Sequence, residues 1–131
     1  MKYLIMIYSN PRTWGHPVFL NTEEAEAMTQ AERDEMVAGE EALFAEIAES
    51  GELVEGQALA DPITTRTVRV HNKVPVTTDG PYGEAKEQMA GYFIVDCETP
   101  ERAVEIAARF PDARFGPVVV RPIMDFSGQD V

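Results

Sequence analysis

The chain has 131 residues, 44% of them hydrophobic, 26% charged and 8% aromatic, a profile that fits one compact domain over 1–131 and excludes a disordered, collagenous or disulfide-stapled chain. Eleven Lys and Arg against 23 Asp and Glu leave a formal charge of −12, which repels phosphate backbones and anionic lipid surfaces and so argues against nucleic-acid and membrane partners. The single cysteine, Cys97, excludes an internal disulfide, and with no secretory signal pattern beside it suits a reducing cytoplasm.

Residues 2–8 are almost continuously apolar, with aromatic and β-branched members, and stop at Ser9-Asn10-Pro11. This predicts a central strand; the run is far too short to cross a bilayer. The segment 9–21 carries Pro11, Gly15 and Pro17 around Trp14 and His16 and predicts a loop. Thr22 ahead of three glutamates caps a short helix over 23–28, and Thr29 with Glu32 has the spacing of a capping box that opens a long amphipathic helix over 31–50. Its apolar stripe is expected to hold Met36, Val37, Leu43, Phe44, Ile47 and Ala48, with Gly51 ending it. A strand over 53–59 follows. Then comes a hairpin, 66–71 and 74–78, turning at Asn72-Lys73, with its second arm at an edge because Pro75 withholds an amide. After a polar loop over 79–88, residues 90–96 form a strand. Thr99-Pro100 starts a second helix with a buried stripe of Ala103, Val104, Ala107 and Phe110 that Pro111 ends, and 118–122 is the last strand.

The order β, long α, β, hairpin, β, α, β is an α+β layout: a mainly antiparallel sheet with two main helices on one face. Both sides of the first strand are apolar, Tyr3, Ile5 and Ile7 on one and Leu4, Met6 and Tyr8 on the other. Two helices cover one side only, so the other is expected to meet a second copy in a two-fold homodimer.

Glu40 is the most informative candidate for chemistry. At 100° per residue it falls in the middle of the stripe made by Met36, Leu43, Phe44 and Ile47, where desolvation would lift its pKa toward that of a general acid or base. The bland alternative places it at the domain edge, in reach of water or an arginine. Asp79 is a second catalytic candidate, with Lys86 as a partner of opposite charge in the same loop; the alternative is that Asp79-Gly80-Pro81 is only a turn. Tyr8, His16, Tyr82 and Arg121, at strand ends or in loops, are further candidates for lining a ligand. His16 and His71 show no ligand spacing with each other or with Cys97, no serine sits in a nucleophile elbow, and neither a dinucleotide fingerprint nor a P-loop is present, so no metal and no cofactor is expected.

The stretch from Val76 through Asp79-Gly80-Pro81-Tyr82, Glu84, Lys86-Glu87-Gln88 and Gly91 to Asp96 resembles the signature of the DGPF-type branch of the YCII-related family, and the likeness runs from the opening Met1-Lys2-Tyr3-Leu4 to Arg121-Pro122. The resemblance implies a ferredoxin-like subunit that pairs sheet to sheet as a dimeric α/β barrel, with a cleft between sheet and helices. It implies no settled activity. Relatives have a His–Asp pair in that cleft as a proposed acid/base dyad; aligned on Gly51, the histidine falls at Glu40 and the aspartate at Phe110. Two functions therefore stand side by side: a dimeric small-molecule-binding or regulatory module, and a small acid/base enzyme using Glu40 with Asp79 and Lys86.

Overall fold

The computed structural model describes residues 1–82 and 86–126; Glu84, part of the signature stretch, lies outside the described residues. Lys2–Ser9 (β1) occupies the middle of a four-stranded antiparallel sheet. Beside it run Gln88–Asp96 (β5) and Val118–Pro122 (β6), while Leu53–Ala58 (β2) lies outside β5. The resulting order, β2-β5-β1-β6, with a helical crossover after β1 and another after β5, is the ferredoxin-like α+β arrangement that the order of elements predicts.

Local chemistry sets the helix ends. Thr22 accepts from the Ala25 amide to start Glu23–Glu26 (α1), and Thr29 and Glu32 form the reciprocal capping box that opens Gln30–Ser50 (α2). The two helices are joined by Arg33, whose guanidinium donates twice to the Ala25 carbonyl at 3.1 and 2.9 Å. Gly51, in the left-handed region at φ 83°, closes α2 and turns the chain into β2. Thr99 and Pro100 start Pro100–Ala108 (α3) as expected. Pro111 ends that helix but does not end helical structure, because its own backbone is helical and Asp112–Phe115 (α4) comes at once after it. Within the 9–21 loop, Pro11–Thr13 and Val18–Asn21 make short 3-10 turns.

α2 and α3 lie on the same sheet face. Tyr3 and Ile5 of β1 and Val95 of β5 meet Leu43, Ile47, Ile106 and Phe110 in the main core. The α3 stripe is Ala103, Ile106, Ala107 and Phe110, a set at i, i+3, i+4 and i+7. Val104, expected in that stripe, lies one step around the helix from it and is 55% exposed. Similarly, α2 buries Leu43 and Ile47 fully, whereas Met36 and Val37 are only half-buried and Ala48 is exposed. The four strands cover only part of a 21-residue helix about 31 Å long.

The hairpin forms as predicted but stands apart. Arg66–His71 (β3) and Val74–Asp79 (β4) make their own two-stranded sheet, turning through Asn72 and Lys73, both at positive φ. Val68, Val70, Val74 and Val76 are all exposed on it. Opposite the core face of the main sheet, Leu4, Tyr92 and Ile94 remain half-buried and Val119 is exposed. Cys97, just beyond β5, is a free thiol in the main core, and burial pushes its pKa up. No described helix is long and apolar enough to cross a membrane.

Candidate functional site

Between the sheet and the N-terminal loop lies a cavity of about 290 Å³. β5 contributes Ala90, Gly91 and Phe93 to it, and β2 contributes Gln57 and Ala58. The close approach of these strands depends on Gly91, where a Cβ would stand 2.8 Å from the Gln57 carbonyl oxygen. Phe44 of α2 and Phe110 after α3 complete an aromatic wall with Phe93: the Phe93 and Phe110 rings stack at 5.0 Å, and Phe44 lies 5.2 Å from the first and 5.5 Å from the second. Val18 and Phe19, buried by the 3-10 turn after Pro17, form the remaining apolar side.

Among the described residues, three titratable side chains reach this cavity, each from a different element: Glu40 from α2, Asp112 from the first position of α4 and His16 from the loop after β1. Burial is the main cause that raises the pKa of Glu40, with the charges of Asp112 and Glu41 adding to it. Asp112 is likewise raised by burial, while its own backbone amide and the positive charge that His16 carries when protonated pull it down. The charge of Asp112 thus acts on Glu40, and that of His16 acts on Asp112. His16 is exposed at the mouth, with its ring edge-on to Trp14 at 5.7 Å and its Nε2 2.6 Å from the Leu59 carbonyl oxygen. A carbonyl only accepts, so Nε2 carries the hydrogen of this contact. Glu40 also borders a wider groove of about 850 Å³, lined by α2 and by the chain from Ala108 to Arg114, where Met36, Arg109 and Arg114 lie.

Glu40 and His16 are therefore brought together as cavity residues. Other candidates fall elsewhere. Tyr8 lines a separate cleft of about 60 Å³ that shares Val18, Phe19 and Asp112 with the main cavity; its hydroxyl lies 3.7 Å from the Met6 sulfur. Asp79 is exposed at the end of β4, opposite Arg66, and Tyr82 is 75% exposed. Lys86 and Arg121 are exposed too, and none of these four lines the cavity. The Asp79-Gly80-Pro81 segment acts as a clasp at the base of the hairpin. There the Gly80 amide donates to the Thr65 carbonyl at 2.7 Å and its carbonyl accepts from the Thr67 hydroxyl at 2.8 Å. Gly80 is at φ 91°, the positive value that the turn requires.

Asp112 is the site residue that the sequence leaves hidden. Its only trace is an acid directly after a helix-ending proline, two positions beyond Phe110, where the resemblance puts the relatives' aspartate. A histidine and an aspartate do line the one cavity, but His16 comes from a loop and Asp112 from two residues downstream. Among the described residues there is no cluster of three or more His, Cys, Asp and Glu placed to hold a metal ion.

In comparisons with known proteins, the chain is similar to an uncharacterized protein of Rhizobium meliloti (strain 1021), with 28% identity over 106 residues, which is 79% of this chain and 86% of the relative. The profile of the YCII-related domain matches residues 1–127. With the match spanning nearly the whole chain, this protein belongs to the YCII-related family.

Proposed function

We propose that the cavity binds a small molecule and performs acid–base chemistry on it, with Glu40 and Asp112 as the proton-carrying pair and His16 as their modulator at the mouth. The observation that carries this is the convergence of two carboxyl groups, both raised by burial, on one mostly apolar cavity. Burial and like charge both disfavour ionising the two together, which widens the pH range over which a protonated donor stands across the cavity from an ionised acceptor. A ligand held between them can lose a proton from carbon or oxygen to the ionised group and receive one from its neighbour. The roles that the residue order suggests for Asp79 and Lys86 pass to Asp112 and His16.

Proton exchange from a panel of small carbonyl compounds into D2O, followed by NMR, tests this directly. Glu40→Gln and Asp112→Asn should each slow exchange by about 10²–10⁴-fold. Absence of any enzyme-dependent exchange, or exchange at the wild-type rate in both variants, defeats the proposal. The same substitutions have a stability signature. A carboxyl whose folded pKa lies above its ordinary value supports the fold below that value and costs stability as pH rises through the raised pKa. Glu40→Gln is therefore expected to melt higher than wild type at neutral pH, with the difference closing in acid.

A second reading, binding without turnover in a regulatory role, is favoured by the purely architectural use of the Asp79-Gly80-Pro81 clasp. That clasp is also what supports assignment to the DGPF-type branch. In either case we propose that the subunit pairs through its open sheet face into a dimeric α/β barrel. Leu4, Tyr92, Ile94 and Val119 supply an apolar surface there. Sedimentation equilibrium should give a two-chain mass for wild type and a one-chain mass for Val119→Asp, with unchanged circular dichroism; a one-chain wild type overturns the pairing.

A further inference from the structure

We propose that the cavity selects small molecules that carry a positively charged amino group on an apolar body about the size of one aromatic ring. This rests on the cavity being the ligand site, and it adds the chemical class of the ligand. Glu40 and Asp112 are the acidic side chains of the lining and, among the described residues, neither a lysine nor an arginine faces the space. A carboxylate or phosphate ligand would meet two like charges opposed only by His16 at the mouth, and the net charge of −12 would repel it on approach. A neutral ligand enters without that penalty but gives the carboxyl pair no compensation for ionising.

An ammonium group supplies the missing positive charge. Placed between Glu40 and Asp112, it favours the ionised form of both and so opposes the burial that disfavours it. The remaining wall fits the rest of such a molecule. Phe44, Phe93 and Phe110 line it with rings within 5.0–5.5 Å of one another, an apolar wall against which a ring packs. A volume of about 290 Å³, at the lower end of ordinary ligand pockets, limits that body to roughly one ring with a short arm.

Benzylamine, benzyl alcohol and benzoate share one body and differ in head group, so calorimetry with the three separates the alternatives. Benzylamine is expected to bind at least tenfold more tightly than benzyl alcohol, and benzoate not measurably. Because the ammonium favours the ionised carboxyls, binding should release protons at pH values where either is protonated in the empty cavity, read as a difference in heat between buffers of unlike ionisation enthalpy. The double variant Glu40→Gln, Asp112→Asn should lose both the preference and the proton release; Glu40→Gln alone should lose most of the release if the double variant does not fold. Benzyl alcohol or benzoate binding as tightly as benzylamine overturns the amine preference and leaves the cavity as the ligand site. Benzylamine binding equally well to the variants places it on the acidic surface and likewise overturns the proposal. No binding of any of the three at millimolar concentration removes both the preference and the cavity as a site.

Discussion

Phe110→Ala is expected to destabilise the protein by about 3–5 kcal/mol, the range for deleting a buried aromatic ring, and to lower the melting temperature by roughly 10 °C or more. Phe110 is 2% exposed, stacks on Phe93 and meets Phe44 edge-on. Its loss removes buried apolar area and two ring–ring contacts, and leaves a void beside an existing cavity. That adjacency gives the substitution a second signature, since the space vacated joins the site. Chemical denaturation should show the loss of stability, and a larger apolar ligand should recover part of it by filling the gap. A change below about 1 kcal/mol would mean that Phe110 is not a keystone between α2, α3 and the sheet.

Arg102→Ala is expected to cost about 2 kcal/mol at neutral pH, the scale of hydrogen bonds made to charged groups, and to flatten the acid side of the stability profile. Arg102 grips Glu52 with two parallel bonds, Nε to Oε2 at 2.8 Å and Nη2 to Oε1 at 2.9 Å, and also holds Glu46 on α2 at 3.0 Å and Glu105 at 2.6 Å. It thereby ties the first turn of α3 to both α2 and the approach to β2. Arg102, with help from the Ser50 hydroxyl, holds the Glu52 carboxyl down at about 2, against an ordinary 4.5. A depressed acid supports the fold above its ordinary pKa and loses that support as pH falls toward the folded value. The gap between wild type and Arg102→Ala should therefore be widest near pH 7 and narrow between pH 4.5 and 2. Arg102→Lys should recover only part, because an ammonium cannot make the fork. Parallel profiles for wild type and Arg102→Ala would show that the Glu52 contact contributes nothing to acid stability.

Much of the architecture is legible in the residue order because it obeys local rules. The two-faced apolar run of β1 places it at the sheet centre, Thr29 and Glu32 announce α2, Thr99-Pro100 announces α3, and Asn72-Lys73 turns the hairpin. Glu40 emerges for the same reason, since helical periodicity is a local property. Asp112 does not, because its meeting with Glu40 depends on how far the chain travels after Pro111, and a proline at a helix end signals a stop without fixing the path of the residues beyond it. Asp79 and Lys86 lie outside the cavity lining for the complementary reason: a loop after a strand gives no clue that the strand belongs to a separate two-stranded sheet. Val104 illustrates a smaller limit, the 100° phase of a stripe, which is settled once Ile106 and Phe110 are seen to share its inner face.

The enclosed position of Cys97 gives the chain a built-in gauge of its own integrity. It is the sole sulfhydryl, and with its thiol buried and its pKa lifted, the nucleophilic thiolate is scarce while the sheet stays shut. Alkylating or oxidising reagents must wait for the end of β5 to open, so the pace at which they mark the chain counts openings and not collisions. An oxidising milieu would accordingly spare the thiol of the folded molecule and mark it in the ones that have come apart.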